Sequence, residues 1–436
     1  MESVPLTPPQ RFIYTTVNQL GHRPSLQLDS CLRIEGAIDT ARFKRAAEEL
    51  ATRHPVLCTL LCESGDDVFQ RHSGSIFCFE VIDIHGDPGP QANAILSARA
   101  DQPFNLFEEN PFRVILARCA PDKAFLMLLG HHLVVDRIAL QALTVEYVQL
   151  YLHGPAHAGN ADWDTAGRSF RTWAIQHEKM LQDGALERNA QYWLNYLRDA
   201  EPVLHLPQRQ PDPAVQSTAS IRFSLDDDEL QVLRSRARQL GVSHFTLVTA
   251  AIFHALREET AQDDILLSMV TDTRRPPFER TIGNFAAMTV LRQQARDGGL
   301  ENKAIEKLFD DIFGAVSNYI SFSVFSDQIA WLNERRSKGY SMCEAFVDYL
   351  PTGTNLPINA NSAKVDIHNN YKISRFYLAE RVTPTHIPYH GVLLGFYFGP
   401  GRNSLQCSVE YESAIITPQS ARSITTSLRT ALTGGS

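Results

Sequence analysis

The chain has 436 residues, too many for one ordinary hydrophobic core, so two domains or two large subdomains are expected. With 44% hydrophobic and 21% charged residues its usage is that of a globular protein, which sets disorder and coiled coil aside. A formal net charge of −8 argues against bulk electrostatic binding of nucleic acid, no apolar run is long enough to span a membrane, and the opening MESVPLTPPQRF lacks a signal-peptide layout.

Along the chain, residues 26–35 alternate apolar and polar side chains and predict a strand. Asp39 or Thr40 then caps a helix with Phe43, Ala46, Ala47 and Leu50 on one face, and His54-Pro55 ends it because proline disfavours helical geometry in the residue before it. Further strands are predicted at 56–61, 78–84 and 113–119. Residues 124–130, AFLMLLG, form a continuous apolar run, as in a strand buried on both faces. A helix is expected from about 137 to 151, with Leu140, Leu143, Tyr147 and Tyr151 at helical spacing.

The composition then changes. Residues 153–167 are rich in Gly, Ala and Asp and predict a loop, 169–198 an aromatic-rich helical stretch, and 206–217 a second Pro-rich connection. A strand near 218–225, a helix over 227–240 closed by Gly241, a buried helix over 244–258 and a strand over 264–271 follow. Gly399 to Asn403 reads as the turn of a late hairpin. The class is α/β (α+β) in two parts, taken as 1–170 and 171–436. Seven scattered cysteines fit buried free thiols in a reducing cytoplasm, and Cys58 and Cys62 lack a second pair at zinc spacing.

The sharpest feature is Gly130-His131-His132-Leu133-Val134-Val135-Asp136, where the most apolar strand gives way to a helix. A rigid strand fixes an imidazole there while the following loop leaves it reachable. Adjacent strand residues point to opposite faces, so one histidine enters a cleft while the other packs inward. Asp136 can orient an imidazole, cap the helix or pair with an arginine. A purely structural histidine pair has the same pattern. Metal ligation is disfavoured, since adjacent histidines diverge and no HExxH supports them. No GxSxG elbow, Walker A loop or GxGxxG is present. His386 and His390 are separated by Pro388, which spoils a helical metal pair, though His390 leads into the strand that follows and can face either a cleft or the core.

Several segments in order resemble the condensation domains of nonribosomal peptide synthetases, in the chloramphenicol-acetyltransferase-like superfamily. His131, His132 and Asp136 match the HHxxxDG core, and Thr7-Pro8-Pro9-Gln10-Arg11 weakly echoes the opening Ser-x-Ala-Gln-x-Arg. Arg53-His54-Pro55-Val56-Leu57-Cys58-Thr59 echoes RHxxLRT, and residues 170–176 with Tyr192-Trp193 resemble the aromatic segments. Ile282-Gly283-Asn284-Phe285, running on to Thr289 and Arg292, resembles IGxFVNT…R, and Ser408-Val409-Glu410-Tyr411 the last strand. Arg137 stands where the motif has glycine, Cys58 where it has arginine, and the late His-Gln-Asp and Arg-Asp motifs are not recognisable.

The resemblance implies two chloramphenicol-acetyltransferase-like subdomains in a V, with the active site in a tunnel between them. It implies a condensation-type acyltransferase that joins an acyl or aminoacyl thioester, carried on the phosphopantetheine of a carrier protein, to an amine or hydroxyl acceptor in nonribosomal peptide or hybrid polyketide synthesis. His132 would be the catalytic histidine and His131 structural, while Asp136 would form an ion pair with Arg274 or Arg275. Arg137, His390 and Asn284 would lie toward the tunnel or the acceptor. No bound cofactor or metal is implied. A coenzyme A-dependent O-acyltransferase and a non-catalytic carrier-protein scaffold are the alternatives. A free-standing cytoplasmic monomer is the expectation, because the chain opens on Met1 and its length leaves little room for further domains.

Overall fold

The apolar run of the sequence becomes β7 (Lys123–His131), the middle strand of a five-stranded sheet. It pairs antiparallel with β2 (Gln27–Glu35) and β6 (Phe112–Ala120), and β12 (Lys372–Arg375) and β5 (Cys78–Asp83) close the two edges. The central position buries both faces of β7, which is why its sequence does not alternate. Gly130 is required there: a Cβ would lie 2.5 Å from Val135 Cγ2.

In the computed structural model all residues are described except 1–2, 21–25, 66, 86–87, 156–167, 208–217, 295–298, 350–370, 377, 379–390, 402–403 and 435–436. Contacts divide the chain into two units. The first takes Met1–Gly184, Arg274–Ala286 and Asn355–Val382, and the second Ala185–Thr273, Ala287–Thr354 and Thr383–Ser436. A single cut at 170/171 therefore gives way to a discontinuous division. The helix α5 (Phe170–Gln182) stays with the first unit because Phe170 and Trp173 pack on Phe285 of the returning segment, with ring centroids 5.3 and 4.8 Å away.

In the first unit, α2 (Thr40–Arg53) starts where Asp39 accepts the Arg42 N–H at 3.0 Å and ends at His54. It packs on α4 (Arg137–His153): the Phe43 ring stacks on Tyr151 at 3.7 Å, and the Tyr147 hydroxyl donates to the Phe43 carbonyl at 2.7 Å. His54 is fully buried, its Nε2 2.7 Å from Glu146 Oε2, and Arg53 Nη1 lies 3.2 Å from Oε1 of the same carboxylate. Burial alone would raise the Glu146 carboxyl, but the hydrogen bonds and charges of His54 and Arg53 hold it below its usual value. The segment expected as a strand from 56 begins instead as a 3₁₀ turn, Pro55–Cys58, since Pro55 presets a helical φ and has no N–H for a ladder. The strand β3 (Thr59–Ser64) follows and joins β4 (Asp67–His72) and β1 (Val4–Pro5) in a small sheet, after which α1 (Pro8–Leu20) begins. The first unit also holds α3 (Pro88–Asp101).

The second unit is built on a six-stranded sheet of order β10–β9–β11–β13–β14–β8. These strands are β8 (Thr218–Leu225), β9 (Asp264–Asp272), β10 (Ala286–Gln294), β11 (Ala345–Tyr349), β13 (Leu394–Gly401) and β14 (Ser404–Glu412). The sheet is mixed, with β11 parallel to β9 and β13, and β14 antiparallel to β13 and β8. The expected late hairpin is therefore β13–β14, with Arg402 and Asn403 of its turn outside the described residues. The expected helices are α7 (Asp227–Leu240), opened by an Asp226/Glu229 capping box and closed by Gly241 at φ 66°, and α8 (His244–Thr260). Also present are α6 (Glu187–Leu197), α9 (Asn302–Ser317), α10 (Ala330–Ser337) and α11 (Pro418–Thr433), with α11 packed on α8. Trp193 on α6 is fully buried, its indole N–H donated to the Asn318 carbonyl at 2.8 Å.

Glu410 on β14 lies between Gly395 and Ser220 in the ladders and is 7% exposed. Burial pushes its carboxyl up to about 7, with Arg222 offsetting part of the effect. The fold therefore favours the protonated acid, so this stability is full below the unfolded carboxyl value and is lost as pH rises through about 7. Glu410→Gln is expected to be more stable than wild type at pH 8, by roughly 2–3 kcal/mol, and to lose that advantage near pH 4. Urea midpoints measured from pH 4 to 8 check this, and parallel curves for the two proteins would rule it out.

Candidate active site

His131 is the last residue of β7 and is 2% exposed. Its backbone N–H donates to the Pro111 carbonyl at 2.8 Å, and its carbonyl accepts from Val134 N–H at 3.0 Å. Its Nδ1 accepts the Leu133 N–H at 3.1 Å, so the neutral ring carries its proton on Nε2. His132 donates its backbone N–H to the Leu26 carbonyl at 2.7 Å and keeps partial solvent exposure. His131 is thus turned inward, where it lies edge-on to Phe104, while His132, the first residue of the turn that follows β7, is half-buried.

Asp136 makes the turn rigid. Its Oδ1 accepts the Ala139 N–H at 2.8 Å and caps α4. Its Oδ2 sits 2.8 Å from Arg274 Nη1 and accepts the Phe285 N–H at 2.9 Å, while its own N–H donates to the Gly283 carbonyl at 3.3 Å. Both members of the pair are buried, Asp136 at 2% and Arg274 at 7% exposure. The rest of the Arg274 guanidinium donates to the carbonyls of Thr281 and Gly283, each at 3.2 Å, and lies over the Phe285 ring at 4.4 Å. Every charge here has a hydrogen-bonded partner, which is the condition for tolerating a buried ion pair.

The remaining sequence candidates separate. Arg275 is exposed and donates to the Arg274 carbonyl at 2.7 Å, so it shapes the loop and does not meet Asp136. Asn284, expected toward the acceptor, is 1% exposed, and its side-chain carbonyl accepts the Ala286 N–H at 3.1 Å, a turn-forming contact. Arg137, the first residue of α4, is exposed. His390 lies outside the described residues. Gly283 has a steric reason to be glycine, since a Cβ there would fall 2.1 Å from Phe170 Cδ2. Three segments distant in sequence, 131–136, 170–173 and 274–285, therefore meet at one turn.

Sequence reasoning did not anticipate the contact of Gln10 with the histidine loop: its amide donates to the Leu133 carbonyl at 3.1 Å. The weak echo of the opening motif was the available signal. Glu146 was hidden because a carboxylate inside an apolar helix gives no sign of its partners until His54 and Arg53 are placed beside it. Among the described residues no group of three or more His, Cys, Asp or Glu side chains is arranged to hold a metal ion.

Removing one partner of the ion pair leaves the other charge buried, so Asp136→Ala and Arg274→Ala are each expected to lose about 3–5 kcal/mol in urea unfolding. Gly283→Ala is expected to lose about 1–3 kcal/mol through forced displacement of Phe170. A loss below about 1 kcal/mol in both ion-pair variants would show that the turn is held by something else.

A family model described as a condensation domain matches residues 1–330. Tyrocidine synthase 3 of Brevibacillus parabrevis is 27% identical over 300 residues, which is 67% of this chain and 4% of that protein. Phosphinothricin tripeptide synthetase of Streptomyces viridochromogenes is 29% identical over 286 residues, 63% of this chain and 26% of that protein. The chain therefore spans only a small part of these relatives' length. Its fold is similar to a solved four-domain nonribosomal peptide synthetase bound to AMP and glycine, with a TM-score of 0.83 at 14% identity, covering 100% of this chain and 33% of that one. It is also similar to the X-domain from teicoplanin biosynthesis, with a TM-score of 0.78 at 18% identity, covering 100% of this chain and 95% of that one. With a family model covering three quarters of its length and a mixed α/β fold to match, the chain belongs to the condensation-domain family.

Proposed function

We propose that the chain is an acyltransferase that joins a thioester-bound acyl or aminoacyl group, presented on the phosphopantetheine of a carrier protein, to an amine or hydroxyl acceptor. The observation that carries this reading is the division of labour in the histidine pair. His131 is locked inward by the Leu133 N–H, while His132, partly exposed, sits on a loop fixed by a buried ion pair. A buried, hydrogen-bonded ion pair beneath a histidine that is only half-buried suits catalysis, which needs the reacting group held still. Membership of a family whose members generally act as acyltransferases supports it.

In this reading the acceptor's nitrogen or oxygen lone pair attacks the thioester carbonyl carbon. A C–N or C–O bond forms, the tetrahedral intermediate collapses, and the C–S bond breaks. The proton lost by the acceptor leaves with the sulfur as the carrier thiol. His132 has hydrogen-bonding chemistry suited to moving that proton, or to orienting the acceptor and stabilising the oxyanion. A pH–rate profile separates these roles, since only the first requires the imidazole to be neutral at the start. Arg137 adds a positive charge five residues beyond His132, which suits an acceptor or donor bearing an acidic group.

The test is a mass-spectrometric product assay that crosses acyl-carrier and acyl-coenzyme A donors with small amines and alcohols. Wild type is expected to form a carrier-dependent amide or ester, and a folded His132→Ala variant to be slower by about 10²–10⁴-fold. Product from coenzyme A donors alone would instead mark an O- or N-acyltransferase independent of carrier proteins. Carrier binding with no product from any pairing would identify a non-catalytic scaffold.

A further inference from the structure

Gln10 meets two separate demands. Its side-chain oxygen belongs to a capping box at the start of α1: Thr7 donates its N–H to Gln10 Oε1 at 3.0 Å, and Gln10 donates its N–H to Thr7 Oγ1 at 3.4 Å. A cap asks only for that oxygen, and glutamate supplies it equally well. The amide nitrogen is surplus to the cap, yet both of its hydrogens are used. One goes to the Leu133 carbonyl at 3.1 Å and the other to Gln70 Oε1 at 3.0 Å. Gln70 answers with its own amide, donating to Gln10 Oε1 at 2.8 Å and to the Pro5 carbonyl at 2.9 Å. Gln10 is 0% exposed, Gln70 3% and Thr7 2%, so none of these bonds is shared with bulk water.

The target of the clamp is specific. Leu133 follows His132, and its N–H is taken by His131 Nδ1 at 3.1 Å. With Gln10 on its carbonyl, Leu133 is held at both of its backbone polar groups. His132 is thereby fixed from both sides, through its own N–H on Leu26 and through the residue after it. A glutamine that served only as a helix cap would have no reason to reach a carbonyl 123 positions away.

We propose that Gln10 is a positioning residue for His132, holding the loop through the Leu133 carbonyl while its oxygen caps α1. This rests on the acyltransferase reading only for its effect on turnover. The clamp itself is testable without activity. Gln10→Glu keeps the cap oxygen and sets an acceptor against the Leu133 carbonyl. Gln10→Met keeps the volume and removes the donor without adding charge. Asp226→Ala, which breaks the capping box of α7 in the second unit, serves as the control for lost helix capping.

Two readouts decide the matter. Diethylpyrocarbonate modification of His132, followed by peptide mass spectrometry, is expected to speed up at least about threefold in both Gln10 variants, and by less than about twofold in Asp226→Ala. In the product assay, kcat is expected to fall roughly 30–100-fold in both Gln10 variants while KM for either substrate moves less than about threefold. Unchanged His132 labelling in a folded Gln10 variant overturns the proposal, as does an equal change in the control. If wild type forms no product, the acyltransferase reading fails and the labelling result alone decides the role of Gln10.

Discussion

The ion pair between Asp136 and Arg274 is the constraint on which the histidine loop of the first unit depends. It lies where a sheet strand, a helix N-terminus and a segment returning from far along the chain coincide. A carboxylate buried to this degree is tolerable only when its oxygens are saturated, and here they accept from Ala139, Phe285 and the guanidinium. The guanidinium in turn fixes two carbonyls of the 281–283 turn. Since the same aspartate starts α4, the position of the helix, of the histidine loop and of the 274–286 segment are one geometric quantity. None can shift without exposing or orphaning a charge.

Around that point the protein uses redundancy of a particular kind. The backbone of residues 131–136 is anchored by partners from four places: Leu26 before β2, Pro111 before β6, Gln10 on α1 and Gly283 on the returning segment. Further along α4 the ties are different: Glu146, at its middle, is shared between His54 and Arg53, and Tyr151, near its end, stacks on Phe43. The helix is thus held by polar contacts at its start and middle and by an aromatic stack near its end. This is the arrangement expected when a side chain at its head must keep one orientation.

Much of this was legible in the sequence, and the reasons differ by element. The apolar run of β7, the Asp39 cap and the capping box with terminal Gly241 of α7 carry local signals that tertiary context did not override. Asp136 was legible because helix capping is also a local rule, and the place of the histidine pair because the apolar run of β7 ends at His131. What could not be read was long range. Whether Asp136 meets Arg274 or its neighbour depends on a turn closed by Thr281 and Gly283, and both arginines look alike in sequence. Asn284 resembled a polar ligand-facing residue, but its oxygen was already committed two residues ahead. Helices such as α9 and strands such as β11 and β12 gave weak local signals, since their apolar patterns make sense only against the sheets they complete.

The strand β12 is four residues long, yet it supplies the outer edge beside β2, register-matched from Lys372↔Glu35 to Arg375↔Leu32. Arg274 likewise arrives 138 residues after the aspartate it neutralises. During synthesis, then, a nascent chain that has emerged as far as α5 holds a sheet with an open edge and an aspartate whose counterion has not yet been made. The first unit can therefore close its sheet edge and neutralise its buried aspartate only once its own later sequence has been made.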